Sequence, residues 1–163
     1  MSHAPITRLA SAAAVVLVIA GVLGGCGTAR HHAFVLEIIS AQDGDILHAV
    51  PVRANETFEF TYVHSVSKSP VTGVFGVHAD GKIQPIKTVF IAYGPGMPWA
   101  EDKYERGLDG SIQVWQTDAP ARDELRIWVS TITQDTFAMH ETTIALASVD
   151  RPTRLVVIRI RRA

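Results

Sequence analysis

The sequence predicts an all-β fold, a single-domain β-sandwich or a partly closed barrel, and three observations predict it. Short apolar runs with period-2 alternation recur between turn signals from residue 33 to the end. No stretch after Cys26 keeps apolar residues at i, i+3, i+4 and i+7 for three turns, so no long amphipathic helix is expected. Asp43-Gly44, Asp80-Gly81 and Asp109-Gly110 stand between such runs as tight-turn signals. Regularly spaced short strands of this kind belong to sandwiches and barrels.

The chain opens on a short polar stretch whose one cation is Arg8, followed by the uncharged, apolar residues 9–23 and then Leu23-Gly24-Gly25-Cys26. A charged start, an apolar middle and small residues before a cut define a secretory leader. Fifteen residues are too few for a membrane span, which takes about 18 or more. Leu-Gly-Gly-Cys resembles the lipobox of bacterial lipoproteins. That implies cleavage after residue 25, thioether lipidation of Cys26 and acylation of its new amino group. The expected plan is a leader at 1–25, a lipidated cysteine and short tether at 26–32, and one all-β domain at 33–163. One acyl chain binds a bilayer marginally, whereas two hold stably. The expected location is therefore extracytoplasmic, anchored to the membrane by lipid on the periplasmic or cell-surface side.

Cys26 is the only cysteine. Once it carries lipid, no thiol remains for a disulfide, a metal or nucleophilic attack, and the 138 residues from Cys26 onward must fold on their apolar core. With Arg8 removed, 14 basic side chains face 16 acidic ones and no basic block is present, so no nucleic-acid partner is expected. The tether residues 27–32 reach about 20 Å when extended, and His31-His32 within them read as solvated linker.

Strands are expected at 34–39 and 46–50, joined through the Asp43-Gly44 turn and ended by Pro51. Asp43 and Asp45 suit turn chemistry, far short of a calcium loop. In the strand 58–63, Phe58, Phe60 and Tyr62 share one face. His64 is in step with them, so its ring points into or beside the core, and Ser65 points the other way. Residues 67–70 break the run. Strands follow at 71–78 and 83–93, and then Gly94-Pro95-Gly96-Met97-Pro98, which can be neither helix nor strand. A helical turn is expected near 98–105, then strands at 111–117, 124–130, 137–149 and 154–161. In the strand 124–130, Leu125, Ile127 and Val129 oppose Arg126.

The chemistry-bearing residues are sparse. His64 and Ser65 are neighbours on a strand and face opposite sides, so the ring is no base for that hydroxyl without a bulge. Neither a nucleophile elbow nor an HExxH zinc motif occurs. A zinc site needs three or four converging ligands, which among His48, His64, His78 and His140 only the fold could arrange. No cofactor, metal or catalytic residue is expected.

Two short motifs carry a resemblance. Tyr62-Val63-His64-Ser65-Val66 with Ser69-Pro70-Val71, and later Tyr93-Gly94-Pro95-Gly96-Met97-Pro98, are similar to an uncharacterised bacterial domain-of-unknown-function family. Its pattern is Tyr-x-His-Ser-Val, Pro-Val with an acid shortly after, a strand pair, then Gly-Ala-Gly-Met-Pro. The resemblance covers the chain from about Phe34 onward. It implies small exported proteins or lipoproteins, often encoded beside TRAP transporters of the TAXI type, whose substrates are organic anions and related solutes. Pro95 stands here for the usual alanine and stiffens the loop. Thr72-Gly73 stands for the acid, whose role is then absent or moved, for instance to Glu101 or Asp102.

Three functions are consistent with these residues. One is an accessory or binding module for a solute transporter or its solute-binding protein. The second is an exported enzyme using His64 with a carboxylate from another strand. The third is a structural envelope lipoprotein. If strands 58–63, 71–78 and 83–93 form a meander, His64 and Gly94 end on one rim about 10 Å apart. His64, Ser65, Pro70, Tyr93, Gly94, Gly96, Met97 and Pro98 are then expected to form one ligand site or latch, with a loop carbonyl or Glu101 satisfying the imidazole.

Overall fold

Alternating apolar and polar side chains become two antiparallel sheets in the computed structural model, which describes residues 33–98, 103–116 and 118–163. The leader, Cys26 and the tether lie outside these residues, as do Trp99, Glu101, Asp102 and Thr117. The described residues form no helix and eleven strands. These are β1 (Phe34–Ser40), β2 (Ile46–Val52), β3 (Thr57–Val63), β4 (Pro70–Val77), β5 (Ile83–Phe90) and β6 (Tyr104–Arg106). There follow β7 (Ile112–Trp115), β8 (Glu124–Ser130), β9 (Thr136–Met139), β10 (Thr142–Ala145) and β11 (Thr153–Arg162).

One sheet has the order β2-β1-β11-β8, the other β10-β9-β3-β4-β5-β7-β6. Among the described residues neither sheet closes on itself, so the fold is a sandwich rather than a partly closed barrel. Leu36 and Ile38 of β1, with Val156 and Ile158 of β11, meet Phe58 of β3 and Phe137 of β9 in one core between the sheets. Phe58 stacks on Phe75 with centroids 5.4 Å apart.

At about 4.8 Å per strand spacing, the seven-stranded sheet is roughly 29 Å wide and the four-stranded one roughly 14 Å. The wider sheet therefore overhangs the narrower. Its overhanging part carries a second, smaller core of Val71, Phe90, Ile112 and Val114, against which Tyr62 and Met97 pack.

Four expectations are corrected. The run 137–149 is a hairpin, β9 and β10, turning at His140-Glu141 with His140 at φ 52°. A left-handed histidine makes this turn without the glycine that would have announced it. The run 83–93 stops at Phe90, because Phe90 already opposes the first interior residue of β4, Val71, and the first of β7, Ile112. Beyond it β4 offers only Pro70, which has no N–H to give to the ladder. The expected helical turn gives way to β6 over its described C-terminal part, where Tyr104 opposes Val114. Pro51 does not end β2 but lies within it, as an edge strand allows.

On the outer face of the narrow sheet, Glu37 is only 2% exposed. Its Oε2 accepts hydrogen bonds from Arg159 Nε (3.1 Å) and Nη2 (3.0 Å), and its Oε1 accepts one from Arg161 Nε (2.5 Å). The Arg161 bond, opposed by burial and reinforced by Arg159, holds the carboxyl below its ordinary value of 4.5. A carboxylate depressed in the folded state contributes stability that is present above the unfolded value and lost as pH falls through the folded one. Urea midpoints measured in steps downward from pH 5 are expected to fall more steeply for the wild type than for Glu37→Gln.

Candidate functional site

His64 follows β3 directly, in register with Phe60 and Tyr62, and is 7% exposed. Its backbone opens the β3–β4 hairpin loop: Ser69 O accepts from His64 N at 2.9 Å, and His64 O accepts from Lys68 N at 2.9 Å. Lys68 takes φ 55° to close the loop. Inside it, Ser67 N donates to His64 Nδ1 at 3.2 Å. An acceptor at Nδ1 puts the ring proton on Nε2, which donates to the carbonyl of Pro95 at 3.1 Å.

The partner loop is shaped by its own sequence. Met97 N donates to Gly94 O at 3.1 Å, with Pro95 second and Gly96 third at φ 84°. Proline then left-handed glycine is the pattern of a type II turn. Relative to type I, that turn reverses the central peptide, whose carbonyl is the one His64 holds. The approach is close: a Cβ at Gly94 would lie 2.7 Å from His64 Cε1. His64 and the 94–98 turn are thus in direct contact, nearer than the two strand spacings expected from the meander. The acceptor is the Pro95 carbonyl.

The remaining residues divide. Met97 packs down on the second core, and Pro98 lines the space beside it. Tyr93 stands edge-on to Phe90 with centroids 5.0 Å apart. Pro70 starts β4 opposite Val63. Ser65 is exposed in the loop, and Ser67 is the serine that meets the ring. Ser67 was not singled out from the sequence, although His-x-x-Ser at a strand end is a side-chain-capped turn in miniature. No three His, Cys, Asp or Glu side chains among the described residues are grouped to hold a metal ion.

What the latch fixes is a wall. Between the 94–98 turn and β8 lies an open trough of three adjoining cavities of about 310, 290 and 290 Å³, all sharing Phe60. Phe60, Tyr62, Phe75 and Thr88 floor it, Met97 and Gln116 stand on one side, and β8 lies on the other. Gly73 lets the Phe75 ring lie along this floor, since a Cβ there would be 2.9 Å from ring Cε2. Thr72, its neighbour, faces the outer side and bonds Thr61 at 2.9 Å. Burial, with the Asp135 carboxylate nearby, pushes the Tyr62 hydroxyl above its ordinary value, so it stays a neutral donor. Asp135 is itself buried, accepting from Ser130 N at 2.7 Å and from the Thr133 hydroxyl. The floor is therefore mostly apolar, with the buried Asp135 carboxylate lining one part of the trough and Arg122 and Arg126 another.

The model of the family described as Domain of unknown function (DUF1850) matches residues 58–146. That span runs from β3 to just past β10 and includes every strand bordering the trough, leaving out β1, β2 and β11. No curated protein and no solved structure matches the chain.

Proposed function

The chain belongs to the DUF1850 family, a domain of unknown function, and we propose that it works as a binding module tethered to the membrane through lipidated Cys26. Its place in this reading is extracytoplasmic, as an accessory to a solute transporter of the TRAP type suggested by the motif resemblance. The observation that carries the reading is the His64–Pro95 latch. A buried imidazole with both nitrogens engaged is committed to holding a loop. The loop it holds keeps an apolar trough open at the surface, and open, mostly apolar concavities with a few polar groups are where ligands bind.

Filling the trough tests this. Thr88 lies on the floor facing Gly73 and Val114, and Thr88→Trp adds a large ring where there is space. The full-length protein extracted from membranes in detergent is expected to retain a partner on affinity purification. Thr88→Trp is expected to lose at least nine-tenths of that partner with an unchanged thermal midpoint. Retention equal to wild type by a folded Thr88→Trp protein overturns the reading.

A further inference from the structure

We infer that the free edge of β8 accepts an extended peptide segment of a partner protein as a fifth strand of the narrow sheet. The segment's alternate apolar side chains lie on Phe60 and Phe75, and an acidic residue meets Arg122. This rests on the binding-module reading above and gives it a ligand class.

The register shows which backbone groups are available. Thr131 N donates to Pro152 O at 2.9 Å, so this pair, one step beyond Ser130–Thr153, is hydrogen-bonded. Bonded and non-bonded pairs alternate along an antiparallel ladder. Arg126 and Trp128, opposite Val157 and Leu155, are therefore at non-bonded positions and turn N–H and C=O away from β11. Two bonds agree with this phase. Leu155 O is taken by Ala41 N on the far side, at 2.9 Å, and Ser130 N turns away from β11 to reach Asp135 Oδ2. Among the described residues nothing pairs with the backbone N–H and C=O of Arg126 and Trp128.

The trough runs along that edge. Successive side chains of a strand face opposite ways, yet Leu125, Arg126, Ile127 and Trp128 all line it. Consecutive residues line one trough only where it follows the main chain. Unpaired edges are templates for strand addition unless blunted by proline, inward charge or brevity. β8 has seven residues, no proline, and only apolar side chains on its inner face. The other edges are blunted: β2 holds Pro51, β10 has four residues and β6 three.

The occupant follows from the space and the charge. The wide sheet overhangs β8, so one extended strand fits beside it, whereas a second folded copy would bring its own overhang against the first. Main-chain bonds to the edge with pockets for alternate side chains are the known mode of strand addition. Arg122 is fixed by backbone bonds to Ile83 in both directions, at 2.7 and 2.8 Å, and its side chain has no partner among the described residues. It gives the segment's acidic residue its place.

The test uses random heptapeptides displayed on phage and selected on the full-length protein in detergent. The best binder is remade with N-methyl groups on alternate residues, in each of the two phases. One phase is expected to lose affinity at least tenfold while the other binds like the parent, because only one edge of the peptide meets β8. Amide exchange at Arg126 and Trp128 is expected to slow on binding, and Trp128→Pro, which removes an N–H that β11 does not use, to weaken binding similarly. Equal binding by both N-methyl series, unchanged exchange at those amides, or no selected peptide overturns the inference. Should hexanoate bind in the trough where no peptide does, the site takes small carboxylates: strand addition falls and the module reading stands.

Discussion

His64→Ala is expected to lower the thermal midpoint by roughly 12 °C. Removing the ring deletes the bond to Pro95 O and leaves Ser67 N–H facing a small void. An abandoned buried donor costs about 1–3 kcal/mol, and the void adds to it, for a total of about 3 kcal/mol. At this chain length 1 kcal/mol corresponds to about 4 °C. His64→Gln, whose amide can still reach the Pro95 carbonyl, should recover part of the loss. Gly94→Ala attacks the latch from the other side, through a Cβ placed 2.7 Å from the ring. Because both changes open one contact, the double variant should cost scarcely more than the worse single one. Thermal unfolding by near-ultraviolet circular dichroism measures all four. Additive losses would mean that ring and turn are not coupled.

Cys26→Ser is expected to have an all-or-none effect, moving the protein wholly from the membrane fraction or stalling it as uncleaved precursor, with no incorporation of a labelled fatty acid. Each buried methylene of an acyl chain contributes about 0.8 kcal/mol, and stable anchoring takes two chains. Cys26 is the only thiol in the chain, so no other residue can take the thioether-linked lipid. Acyl labelling and fractionation unchanged from wild type would end the lipoprotein reading and the tether with it.

Much of the fold was legible because local signals carry it. Phe58, Phe60 and Tyr62 alternate against Glu59 and Thr61, and they lie on β3 with the aromatics inward. The strand 124–130 matches β8 residue for residue. Asp43-Gly44 and Asp80-Gly81 join β1 to β2 and β4 to β5. Where local chemistry was atypical the reading failed, as at the left-handed His140. Pairings between distant segments, β1 with β11 and β3 with β9, leave no short-range trace. The candidate site divides in the same way. His64 and the Gly-Pro-Gly turn meet because a meander of three neighbouring strands puts them on one rim, which adjacency in sequence foretells. The motifs supply one wall of the trough, through Met97 and Pro98, but not its opening. It exists because one sheet has seven strands and the other four, so Arg122, Trp128 and the floor around Thr88 carried no signal of their own.

The position of β1 has a mechanical consequence. The described chain enters at Ala33 and passes at once into β1, which lies between β11, with seven register pairs, and β2, with six. Ladder bonds run perpendicular to the strands, so tension applied along the entering chain loads β1 lengthwise and sets its bonds in shear, all sharing the force together. An edge strand peeled sideways would yield one bond at a time. A domain pulled by its N-terminal end is therefore gripped on both flanks of its first strand. The pull reaches the β8 edge across two intact ladders, β1–β11 and β11–β8.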